Sequence, residues 1–97
     1  MVVPRGAPIA VVFKGCDYAK SVYEDSKYMS SQLQSDGKSV IISNSFPKST
    51  QEVFPVNIKT KEGLMHTIAL VPALEGYSLS KINLKLVIEN DFECSHR

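Results

Sequence analysis

The chain has 97 residues and 43% hydrophobic content, enough for one ordinary domain with a single core. Its 11 basic and 10 acidic residues leave a net charge of +1, which excludes the basic footprint of a nucleic-acid-binding domain. The longest apolar runs, residues 9–13 and 68–74, are far too short to span a bilayer as a helix.

Residues 1–8 hold Pro4, Gly6 and Pro8 and read as an extended, frayed lead-in without the basic region, apolar core and cleavage site of a secretory signal. Ile9-Ala-Val-Val-Phe13 is a strand by its β-branched and aromatic content. Residues 17–34 allow two readings. Tyr18, Val22, Ser26, Met29 and Leu33 are spaced as one face of a helix, with Asp17 as its cap and Gly37 beyond its end. The stripe is thin, however, and its serines, β-branched and aromatic residues are weak helix formers. The favoured reading splits the stretch into strands over 18–23 and 28–34, separated by a turn at Glu24-Asp25-Ser26. Asp36-Gly37 then makes a tight hairpin into a strand over residues 39–44.

After a polar loop over residues 44–51, strict alternation sets in. Phe54, Val56, Ile58 and Thr60 alternate with Pro55, Asn57 and Lys59, Lys61-Glu62-Gly63 interrupts, and Leu64, His66, Ile68 and Leu70 resume the pattern. A period of two broken by a glycine turn predicts an antiparallel hairpin over residues 54–71. Residues 72–80 are a connector with Pro72 and Gly76. Ile82, Leu84, Leu86 and Ile88 mark a last strand over 81–89, and residues 90–97 are a polar, frayed tail. The expected fold is all-β: residues 1–97 form one small antiparallel β-sandwich of about seven short strands. The alternative is an α/β domain with one helix at residues 17–34.

Residues with chemical potential are few and scattered. His66 is the one histidine inside a predicted element and reads as a half-exposed structural residue, since no acid or thiol lies at a useful spacing. Cys94 and His96 make a Cys-x-His pair in the tail, short of the three or four ligands a metal needs. Cys16 would be an activated thiol only at the N-terminus of the disfavoured helix. With no second nearby cysteine it reads as a turn residue, and Cys16 and Cys94 read as two free thiols. Glu24-Asp25 and Glu89-Asn90-Asp91 lack the alternating pattern of a calcium loop. Tyr18, Tyr23, Tyr28 and Tyr77 lack the interleaved basic residues of a single-strand nucleic-acid face and read as core edge or protein contact. Gly15, Gly37, Gly63 and Gly76 are isolated turn glycines, not a phosphate loop. The expectation is therefore no catalytic residue, no metal and no cofactor.

Several segments together carry a family resemblance. They are Ile9-Ala-Val-Val-Phe-Lys-Gly15, Ala19-Lys-Ser-Val-Tyr23, Lys27-Tyr-Met-Ser-Ser31, Asp36-Gly-Lys-Ser-Val-Ile-Ile42 and the long hairpin from Phe54 through Lys61-Glu-Gly-Leu-Met-His-Thr to Pro72. Read as strands, residues 9–86 resemble the N-terminal domain of TraK-type conjugation proteins. These are periplasmic scaffold subunits of F-type type IV secretion channels. The resemblance implies a β-sandwich without enzymatic activity, in the periplasm by the outer membrane, assembled as a homo-oligomeric ring. It implies protein partners, a lipoprotein and inner channel subunits, and neither nucleic acid nor a membrane span. Strand edges over residues 39–44 or 81–89 would then accept a partner's strand. The rival is a small α/β ligand- or tRNA-binding accessory module, with its crevice near Gly15. A thiol enzyme using Cys16 is the third reading.

Overall fold

The computed structural model describes residues 1–15, 17–73 and 84–88. Eight strands follow one another: β1 (Val2–Val3), β2 (Ile9–Phe13), β3 (Ala19–Tyr23), β4 (Met29–Leu33), β5 (Ser39–Asn44), β6 (Phe54–Thr60), β7 (Met65–Pro72) and β8 (Leu84–Ile88). They form two four-stranded sheets, β1-β7-β6-β3 and β4-β5-β2-β8. The fold is all-β, and no helix occurs among the described residues.

The sheets sandwich one core. Alternation along β6 turns Phe54, Val56, Ile58 and Thr60 inward, all buried. Ile68 and Leu70 of β7 lie on the same face, and Ile9, Val11 and Phe13 of β2 with Val40 and Ile42 of β5 close the core from the other sheet. Tyr28, Phe46 and Phe54 fill one end of the sandwich, with Phe46 stacked on Phe54 at 4.6 Å between ring centroids.

Both predicted hairpins form. In β6–β7 the Thr60 amide donates to Leu64 O at 2.9 Å and the Gly63 amide to Thr60 O at 3.0 Å, so three residues make the turn. Gly63 sits at φ 91°, the left-handed position such a loop needs. The β4–β5 connection is longer than a two-residue Asp-Gly hairpin. Gln34 N donates to Ser39 O and Gly37 N to Gln34 O, so residues 35–38 span the loop, with Gly37 at φ 70°.

Three expectations need correction, and the helical alternative falls. The sheets are mixed rather than purely antiparallel, because β1 runs parallel to β7 and β2 parallel to β8. The helix considered for residues 17–34 is replaced by β3, a turn and β4. Residues 19–23 and 29–33 give their backbone groups to ladders with β6 and β5, which a helix could not do, and the single turn between them is closed by Asp25, whose O accepts the Tyr28 and Met29 amides and whose Oδ1 accepts the Lys27 amide. Residues 39–44 are not an edge, since β5 lies between β4 and β2. Finally, residues 1–8 are tied down rather than frayed. Val3 is fully buried, and Met1 O and Val3 O accept the Val71 and Ala73 amides. Residues 4–8 carry the chain from one sheet to the other, and the Asn44 side chain clasps this switch. Its Oδ1 accepts the Gly6 amide at 2.8 Å, and its Nδ2 donates to Ala7 O at 3.0 Å and Pro4 O at 3.4 Å.

Candidate functional site

Strand directions bring three connections to one end of the sandwich: residues 14–18 after β2, 34–38 between β4 and β5, and 61–64 between β6 and β7. Backbone bonds tie them together across the two sheets. Phe13 N donates to Lys38 O, Ala19 N to Gly37 O and Lys61 N to Tyr18 O, all within 2.8–2.9 Å.

Beneath these loops lies a close pairing of chemically able side chains that the sequence did not reveal. His66 is on the inward face of β7, opposite Ile58, with its ring 5.4 Å from that of Phe13. Its Nε2 lies 3.9 Å from Oδ2 of Asp17, whose side chain is 1% exposed against 27% for His66. At that distance the two side chains face one another without a hydrogen bond between them. Asp17 appeared in the sequence only as the cap of a helix that does not form, and 49 residues separate it from His66 by numbering (66 − 17). Nothing local in a sequence announces such a pair. The half-exposed position expected for His66 matches its place on β7.

Lys38 and Lys61 close over this spot. The Lys38 ammonium donates to the carbonyls of Gly15 and Asp17 and lies 4.4 Å from the Tyr18 ring centroid, and that of Lys61 lies 5.5 Å from the same ring. Tyr18 thus sits between two cations. Asp36 shapes the neighbouring loop. Its Oδ1 accepts the Lys38 and Ser39 amides at 2.8 and 3.0 Å, and its Oδ2 accepts the Ser39 hydroxyl at 3.0 Å. The bond from the Lys38 amide is the largest cause that holds this carboxyl below its ordinary value; desolvation opposes it, and the bonds from the Ser39 hydroxyl and amide add to the lowering.

The other singled-out residues are dispersed. Glu24 accepts the Ser31 hydroxyl at 2.9 Å, and Asp25 builds the β3–β4 turn. Tyr23 is exposed on the outer face of the first sheet, and Tyr28 packs with Phe46 and Phe54 at the opposite end from Tyr18, so the tyrosines among the described residues share no face. Among the described residues no three His, Cys, Asp or Glu side chains come together as a metal site. Cys16, Gly76, Tyr77, Glu89, Asn90, Asp91, Cys94 and His96 lie outside the described residues. The arrangement can brace three loops by ion pairing and cation–π contact, and it presents a Tyr-Lys surface to solvent. No protein-family model matches the chain, and no curated protein matches it in sequence.

Proposed function

We propose that this chain is a non-catalytic structural and interaction domain that works by being built into a larger assembly. Most concretely, it is a scaffold subunit of a type IV secretion (conjugation) channel of the TraK type, in the periplasm by the outer membrane. The observation that carries the assembly reading is the outer face of the first sheet. Val2, Tyr23 and Met65 are exposed there at 52, 53 and 52%, beside exposed Pro55 and Ala69. Lys59 and the bulge residue Lys20 are the charged residues of its strands. The face also carries the hydrogen-bonded Asn57–Thr67 pair, as a solvated sheet face does, but the large apolar side chains it still exposes suit burial against another protein. The channel assignment rests on the resemblance of residues 9–86 set out above. The accessory-module alternative loses the helix on which it was built.

The test is affinity capture from the native host followed by mass spectrometry and separation by size. Secretion-channel subunits in fixed proportion support the proposal. A strictly monomeric species with no co-purifying partner and a measurable turnover of a small substrate refutes it.

A further inference from the structure

The two flanks of the sandwich differ. On one, β3 lies beside β4, tied to it by the Ser31 hydroxyl bond to Glu24, and both strands have five residues, so the rims are flush. The ring contact between His66 and Phe13 lays β7 over β2. The strand orders then put β1 over β8 on the other flank, and there the rims do not match. β8 runs five residues along β2, whereas β1 has two and pairs with β7 at Val71 and Pro72. Alongside residues 65–69 of β7 the first sheet is therefore one strand short. The amides of Val71 and Ala73 donate to β1 and Ala69 O accepts the Met1 amino group, so the odd-numbered residues of β7 turn their backbone groups to this flank. Among the described residues, no strand pairs there with the N–H and C=O of Met65 and Thr67 or with the N–H of Ala69. Burial falls off toward the same end, from Leu70 at 1% exposed through Ile68 at 7% to the half-buried His66. Leu86 and Ile88 of β8 are half-buried too.

We propose that this notch, one strand wide, docks a single extended segment of another protein, about five residues long, which adds to β7 by main-chain hydrogen bonds. Rim strands are ordinarily guarded by charge, a bulge or proline. β3 carries Lys20 and a bulge, but residues 65–69 hold no Lys, Arg, Asp, Glu or Pro, and their register with β6 is unbroken. The width of the notch decides against a second folded copy. A second sandwich pairing edge to edge along residues 65–69 would bring its own second sheet into the place that β8 already fills. A strand with no sheet beneath it fits. Alternation then sets the chemistry of the segment. Its inward residues lie beside His66 and Ile68 and over Leu86 and Ile88, so they are apolar. Its outward residues lie beside Met65, Thr67 and Ala69, on a sheet whose strand charges, Lys20 and Lys59, are both positive, so they are polar or acidic. The added strand also carries onward the outer face already read as an interface. This deepens the scaffold reading and rests on it only for the source of the segment, a neighbouring subunit.

The experiment uses the full chain and a capped synthetic peptide, Thr-Val-Thr-Val-Thr, so it fails or succeeds independently of any capture from the host. Amide hydrogen exchange is followed residue by residue by NMR. In the chain alone the Met65 and Thr67 amides should exchange freely. So should those of Ser31 and Leu33, which point away from β5 on the flush flank and serve as the control. Millimolar peptide should slow Met65 and Thr67 several-fold and leave Ser31 and Leu33 unchanged. A variant with the same five residues joined directly ahead of Met1 supplies the strand without reliance on peptide affinity. Because β1 runs parallel to β7 with Val2 opposite Val71, that extension falls opposite residues 65–69, its valines turned inward like Val3. It should slow the same two amides. Slow exchange of Met65 and Thr67 in the dilute chain alone overturns the proposal, since the edge is then already taken. Slowing that grows with chain concentration in the absence of peptide overturns it in favour of a second copy. Equal slowing of Ser31 and Leu33 by the peptide, or no slowing by the joined strand, also overturns it.

Discussion

Truncating Ile58 to alanine tests the sandwich at its centre. Ile58 is fully buried in the middle of β6, flanked in register by Val22 of β3 and His66 of β7. Removing a fully buried Ile side chain to Ala typically costs 2–5 kcal/mol, about 3.5 at the midpoint, because neighbours held in a sheet collapse only partly into the cavity. A domain of this size loses roughly 4–8 °C of melting temperature per kcal/mol, so the midpoint figure corresponds to a shift of roughly 14–28 °C. Total stability of small domains is about 5–15 kcal/mol, so the variant should still fold at low temperature. Met65, opposite Lys59 and 52% exposed on the other face, supplies the contrast. Met65→Ala should change stability by less than about 0.5 kcal/mol. Circular dichroism melts and urea titration with matched slopes read both variants. Equal shifts for Ile58→Ala and Met65→Ala would show that the two faces of the hairpin are not distinguished, and the sandwich assignment would fall.

Four further substitutions test the turns and the Asn44 clasp. Gly63→Ala should destabilise by about 1 kcal/mol from its left-handed backbone alone, since a Cβ there meets open space. Gly37→Ala should cost more, because its Cβ would lie 3.2 Å from Tyr18 Cδ1, so unchanged melting of both variants contradicts the turns. Asp36 has a lowered folded-state pKa. Its contribution to stability is therefore present above its unfolded pKa of about 3.9 and lost as pH falls through the lower folded value. Asp36→Asn should be less stable than the parent at pH 7 and converge with it near pH 2, and a difference independent of pH counts against the Asp36 bonds. Asn44→Ala removes three side-chain hydrogen bonds from residues 4–8. It should destabilise by about 1–3 kcal/mol. Hydrogen exchange at the Val71 and Ala73 amides, which β1 protects, should quicken more than at β6, and uniform exchange would argue against a local clasp.

The class of structure and most of its elements are legible in the order of residues alone. Alternation from Phe54 to Leu70 with Gly63 between fixes a hairpin and its buried face, since only a strand places residues two apart on one side. The stretch over residues 17–34 shows where such reading loses resolution. The four-residue spacings Tyr18–Val22 and Met29–Leu33 fit one helix face, yet four is also an even number of strand residues. Only the Asp25 turn, which puts Val22 and Met29 in different sheets, resolves the ambiguity. The tertiary structure alone decided three things. Val2–Val3 becomes a strand because β7 offers it an open edge, not because two valines prefer one. β5 is internal because β4 and β2 both pair with it, a matter of sheet order that alternation does not encode. Asp17 meets His66 because three loops converge at one end of the sandwich, and contact between residues so distant in sequence is set by topology rather than by local pattern.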